Sequence, residues 1–147
     1  MTLTHIAQVC AAECERQKVG VTELANLLMA YEYARTHYYY ASGRKPEISD
    51  ILMLGKMIEP EKGRIRTVPV TFANGGSAAP ADTVADALVR LCDAVDEEMT
   101  AYWFCEAFLK IHPFLDGNGR TAFLLYNWLN GTLGEGLTAL PKFSFDE

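Results

Sequence analysis

Apolar residues recur along most of this chain at the three- and four-residue spacing of amphipathic helices. Residues 3–17 carry a modest stripe of Ile6, Val9, Cys10 and Cys14, and Gly20 ends the run. Residues 22–41 place Leu24, Leu27, Leu28, Tyr31 and Tyr38 at helical spacing, and Ser42-Gly43 supplies a turn. Aromatics at a helix end usually complete a core with their hydroxyls wet, which is the reading for Tyr38 to Tyr40. Ser49 suits the N-cap of a short helix to residue 57, with Ile51, Leu54, Gly55 and Ile58 on one side and Pro60 closing it.

The period then changes. Over residues 64–76, Val68, Val70 and Phe72 alternate with Thr67, Pro69 and Thr71, and Asn74-Gly75-Gly76 follows as a turn, which predicts a β-hairpin. Pro69 has no N–H and confines that strand to an edge, where a peptide can add by main-chain pairing. Pro80 suits the first turn of a helix over 80–95 with Val84, Leu88, Leu91 and Cys92 inward. Glu97 and Glu98 look like a solvated interruption. Residues 99–111 carry Tyr102, Trp103, Cys105, Phe108, Leu109 and Ile111, apolar over much of the circumference, so this helix is predicted to be central. Residues 121–129 are apolar nearly all round and stop at Asn130-Gly131. The tail, 132–147, contains Gly134, Gly136 and Pro141, shows no period and is expected to pack loosely. The fold class is mainly α, in one domain without repeats.

Composition narrows the partners. At 147 residues and 50% hydrophobic content the chain can bury a substantial core. A net charge of −6 argues against nucleic acid and against an anionic membrane surface, leaving small molecules and proteins. No apolar run approaches the ~20 residues that span a bilayer, and no secretory pattern opens the chain, so the expected address is the cytoplasm. Cys10, Cys14, Cys92 and Cys105 lie in helical stretches; Cys10 and Cys14 share a face with His5 nearby, but no zinc spacing matches, and buried thiols are expected. His5 and His37 are read as structural.

The candidate chemistry is concentrated in residues 112–120, HPFLDGNGR. Pro113 forces the residue before it out of the α region, which ends the helix and presents His112. Phe114 most simply points into the core as an anchor, turning Asp116 toward a cavity. Gly117 and Gly119 permit positive φ and close approach, so successive N–H groups at the start of the next helix can form an anion nest. Arg120 in the first helical turn is unfavourable for the dipole yet well placed to fork onto phosphate oxygens. Together these residues make a phosphate site.

This stretch resembles the signature of the Fic (filamentation induced by cAMP) family: His, any residue, Phe, any residue, Asp or Glu, then Gly-Asn-Gly-Arg. Every fixed position is matched. AYWFCEAFLKIHPF resembles the family's lead-in helix and GRIRTVPVTFANGG its flap, so the resemblance runs from about residue 21 to residue 129. It implies a Fic-type helical bundle with a small β-hairpin flap over the active-site loop. It also implies a protein adenylyltransferase, moving AMP from ATP to a Tyr, Ser or Thr hydroxyl of a target protein. On that basis His112 is the catalytic base, Asp116 holds Mg²⁺, and Gly117, Asn118, Gly119 and Arg120 bind the nucleotide phosphates. Arg66, Thr67, Val68 and Val70 of the flap dock the target, and a homo-oligomer is compatible with the sequence.

Two departures qualify what the resemblance implies. The family motif continues to a second arginine that grips the γ-phosphate, whereas Phe123 stands here. A nucleotide is therefore a firmer expectation than ATP, and the alternatives are another phosphoester transfer, for example from CDP-choline, or a non-catalytic nucleotide-binding module. The family also uses an inhibitory helix with Ser or Thr, three variable residues, Glu, then Gly or Asn. Residues 3–18 offer Glu13 in a degenerate version, with Val9 and Cys14 at the flanking positions.

Overall fold

The structure, a computed structural model, describes residues 2–40, 44–95 and 99–143. The Ser42-Gly43 turn, the Glu97-Glu98 interruption and the last four residues of the tail lie outside the described residues. In chain order the helices are α1 (Leu3–Arg16), α2 (Val21–Tyr40), α3 (Ile48–Ile58), α4 (Val84–Ala94), α5 (Ala101–Ile111) and α6 (Asn118–Asn130). Pro80 precedes a 3₁₀ turn, Ala81–Thr83, that leads into α4, whose buried residues are Val84, Leu88, Leu91 and Cys92. Among the described residues no helix is long and apolar enough to cross a membrane.

The central helix is α6, not α5. α6 packs against α5, α1, α2 and α3, and buries residues round its whole circumference, with Phe123, Leu124 and Leu125 fully enclosed. α5 turns Phe104, Cys105, Phe108 and Leu109 inward but leaves Trp103 60% exposed. Its apolar content overstated its burial because two of its aromatics, Tyr102 and Trp103, sit in the first turn near the surface. The four cysteines are free thiols in the core, where burial pushes Cys10 up to about 12.

α3 starts earlier than its Ser49 suggested. Glu47 is the N-cap, and the Asp50 carboxylate accepts its N–H at 2.8 Å. Arg44, half-buried, forks onto the same buried carboxylate at 2.6 and 2.9 Å, so an ion pair, rather than a serine hydroxyl, sets this helix end.

Over its described residues, 132–143, the tail is not loosely packed. Leu133, Leu137, Leu140 and Phe143 are all buried. Asn127 on α6 fastens the segment, donating to the Thr138 carbonyl at 2.9 Å while its own oxygen accepts the Thr138 N–H at 3.0 Å and the Thr132 hydroxyl at 2.6 Å. Tyr31 donates to the Leu133 carbonyl. An irregular backbone can bury side chains at uneven spacing, so periodicity carries no signal for such a segment.

The expected β-hairpin is also absent as regular structure. Among the described residues there is no strand, only two isolated antiparallel bridges, Ile65 with Phe114 and Thr71 with Ser77. The turn itself forms, with Phe72 N–H donating to the Gly76 carbonyl at 2.7 Å and Ala78 N–H to Val70 at 3.0 Å. A ladder does not extend from it, because the Val68 and Ala79 carbonyls are taken by the Arg66 guanidinium and Pro69 has no N–H to give.

Candidate active site

The loop begins where α5 stops. His112 is the C-cap of α5, with φ 51° and ψ 63°, in the left-handed region, and its N–H donates to the Phe108 carbonyl at 3.0 Å. A non-glycine residue there is strained, at a cost of roughly 1–3 kcal/mol, and needs surroundings that hold it. Arg66 does so: Nε donates to the His112 carbonyl at 2.6 Å and Nη2 to the Ile111 carbonyl at 2.9 Å. The imidazole meets the edge of Phe72, with ring centroids 5.6 Å apart. Burial pushes the His112 pKa below its ordinary 6.5, the Arg66 charge adds to that, and Asp116 opposes both. The ring is therefore neutral at pH 7 and able to accept a proton.

Phe114 is fully buried, against Gly55 on α3. A Cβ on Gly55 would lie 2.5 Å from the Phe114 ring, so the glycine is what lets the loop seat here. Asn118 closes the loop on itself: its amide accepts the Phe114 N–H at 3.0 Å and donates to the Phe114 carbonyl at 2.7 Å. That side chain is occupied by the loop backbone, so the donors open to an anion here are main-chain N–H groups in the first turn of α6. Gly117 caps α6 with φ 87°, as a nest requires, whereas Gly119 is helical and its space is needed by Gln17 of α1, whose amide lies 2.5 Å from where a Cβ would be.

Arg120, expected at the nucleotide phosphates, is paired with carboxylates in the structure. It is 1% exposed and lies between carboxylates, 2.8 Å from Glu59 and 3.3 Å from Asp116. Its charge organises the loop rather than lining the cavity. Arg66, expected at a target-docking edge, is buried, and its donors go to backbone carbonyls. Thr67 and Val68 are exposed and Val70 is half-buried. Glu13 is buried on α1, with Oε1 accepting from Gln17 at 3.2 Å and Oε2 without a hydrogen-bond partner, 3.8 Å from Arg16 Nη1.

Beside His112 lies a cavity of about 410 Å³, walled also by Phe72, Gly119, Arg16, Gln17 and Lys142. Among the described residues no carboxylate lines it. Phe72 was detectable from sequence, being in phase with Val68 and Val70; Arg16, Gln17 and Lys142 come from the two ends of the chain and had no local signal. Among the described residues no three His, Cys, Asp or Glu side chains form a metal cage. Asp116 has one oxygen engaged by the Gly117 N–H and Arg120, and its side chain is 47% exposed. A single accessible carboxylate fits Mg²⁺, which takes most of its ligands from phosphates and water.

The profile of the Fic/DOC family matches residues 46–129. Among solved structures, Fic-1 from C. elegans matches with a TM-score of 0.61 at 24% identity, covering 83% of this chain and 41% of that one. A form of the same protein with a glutamate-to-glycine substitution matches with a TM-score of 0.60 at 24% identity, covering 87% of this chain and 44% of that one. The chain thus spans less than half the length of these structures, and at this identity the likeness shows the fold. Comparison with curated protein sequences finds no match. Because the profile covers more than half of the chain, and the loop of residues 112–120 lies within it, this chain belongs to the Fic/DOC family.

Proposed function

We propose that this protein transfers AMP from ATP to a Tyr, Ser or Thr hydroxyl of a target protein. Fic-family members typically transfer nucleotide or phosphate groups to proteins. The observation that carries the reading is His112, held in a left-handed cap, at the wall of a cavity lined by Arg16 and Lys142 and, among the described residues, by no carboxylate. A nucleotide phosphate chain suits such a cavity, and a target hydroxyl needs such a base.

In the proposed reaction the His112 imidazole takes the hydroxyl proton as that oxygen attacks the α-phosphorus. The bond from the α-phosphorus to its bridging oxygen breaks, and pyrophosphate leaves. Backbone N–H groups at the start of α6 bind the oxygens on which negative charge accumulates. Mg²⁺, when bound at Asp116, supplies neutralisation of the phosphate chain. Thr67 and Val68, exposed in the segment that Arg66 ties to the His112 carbonyl, are the side chains for a target to meet.

The test is incubation of the protein with ATP labelled on the α-phosphate, with and without Mg²⁺, in a protein lysate. Label on protein is expected, and His112→Ala should abolish it while nucleotide binding persists. Equal labelling by the mutant would remove His112 from the chemistry. One observation favours a second reading: Phe123, where the family carries a second arginine, is fully buried and apolar. A donor other than ATP follows if labelled CDP-choline modifies protein and ATP does not, and a binding module follows if nucleotide binds without any transfer.

A further inference from the structure

The cavity beside His112 takes its positive charge from outside the loop. The loop's own cation, Arg120, is enclosed by Glu59 and Asp116, and Phe123 one helical turn later is buried and apolar. The cations that line the cavity are Arg16, at the end of α1, and Lys142, in the tail. They are some 120 residues apart in sequence and are brought together by packing: Arg16 donates to the Leu140 carbonyl through Nη1 and to Pro141 through Nη2 at 3.4 Å, while Leu140 and Phe143 are buried on either side. Arg16 has a carboxylate neighbour, Glu13, only at 3.8 Å, and burial pushes that carboxyl up toward its neutral form.

In a chain with a net charge of −6, the cavity is lined by two cations and, among the described residues, by no carboxylate. The volume, about 410 Å³, is that of a small-molecule site. If transfer occurs at the α-phosphorus, that atom must sit within reach of His112 and the amides of α6, and the phosphates beyond it need further positive charge. Within the same cavity that charge resides on Arg16 and Lys142.

We propose that Arg16 and Lys142 hold the β- and γ-phosphates of the donor nucleotide, so that α1 and the tail are parts of the donor site and set its preference for a polyphosphate. This deepens the nucleotide-transfer reading of the same site and rests on it.

Calorimetric titration with the magnesium salts of AMP, ADP and ATP tests the proposal, with thermal unfolding of each variant as the control for folding. The wild type should bind ATP more tightly than AMP. Lys142→Ala and Arg16→Ala should each weaken ATP by about tenfold, the scale of one charged contact, with AMP changed by less than about twofold. Lys142→Glu should weaken ATP further, and Arg16→Lys should retain part of the affinity. Lys142 is exposed, so its variants are expected to fold even if loss of the Arg16 contacts loosens the tail. An unchanged ATP-to-AMP ratio in Lys142→Glu and Arg16→Lys, where the wild type does prefer ATP, would overturn this assignment and leave nucleotide transfer standing. A wild type that binds none of the three nucleotides would overturn the nucleotide reading itself.

Discussion

Arg66 Nε donates to the His112 carbonyl oxygen at 2.6 Å. The same guanidinium reaches the carbonyls of Ile111, Val68 and Ala79, so one buried cation joins the end of α5 to both arms of the segment over the cavity. Burial of an arginine on carbonyls, with no carboxylate partner among the described residues, is costly, and the hydrogen bonds offset that cost. The planar fork matters because its donors sit on three separate nitrogens, whereas an ammonium offers all of its donors from one. Arg66→Lys should therefore lower stability by about 2 kcal/mol, leaving carbonyls unsatisfied. It should reduce the transfer rate by more than about tenfold while nucleotide affinity stays within about threefold. Urea unfolding and single-turnover rates check both, and an unchanged rate would deny the clamp any part in positioning His112.

The acid limb of the pH–rate profile follows from the same contact. Burial and the Arg66 charge favour neutral His112, so its folded pKa lies below the ordinary 6.5. Activity that needs the neutral base should rise with pH and reach half its maximum below pH 6.5. Arg66→Met removes one of the two lowering causes and leaves Asp116 raising, so the limb should move to higher pH. A limb that stays in place would show that the profile reports another group.

Glu13 provides a stability test at the opposite end of the chain. Its pKa is raised above the ordinary 4.5, chiefly by burial, and Oε2 accepts no hydrogen bond. A carboxyl raised in the folded state favours folding below its unfolded pKa and loses that contribution as pH rises through the folded pKa. Glu13→Gln keeps an acceptor for Gln17 and removes the charge. It should stabilise the protein at pH 7 by about 1 kcal/mol and make little difference below pH 4.5. Denaturant unfolding at the two pH values measures the difference, and a destabilising effect at pH 7 would mean that the charge is needed.

Gly55 offers a test of the loop's seat. Adding a methyl group there sets a Cβ 2.5 Å from the Phe114 ring and 2.9 Å from the Gly63 carbonyl. Gly55→Ala should cost about 1–3 kcal/mol by overpacking and displace Phe114, and with it the loop from His112 to Gly117. Loss of transfer larger than the loss of thermal stability predicts would be the sign of a displaced loop; wild-type melting would show that the contact relaxes freely.

The sequence by itself determined the helices and the identity of the loop. Apolar spacing at 3.6 residues is a local property, and it placed Ile51, Leu54 and Ile58 or Val84, Leu88 and Leu91 on buried faces without knowledge of their partners. Proline and glycine act on their own backbone and that of their neighbours, so the break at His112 and the cap at Gly117 were equally legible. Tertiary structure decided what those elements touch. The sequence aimed Arg120 at nucleotide phosphates and Arg66 at a target protein, and only the fold reveals that the carboxylates of Glu59 and Asp116 engage the one and backbone carbonyls the other. The expected strand was lost to Arg66 for the same reason, since hydrogen-bond competition between distant groups leaves no trace in local alternation. Burial of the tail and the meeting of Arg16 with Lys142 depend on contacts between the two ends of the chain, made by irregular backbone whose side chains follow no period.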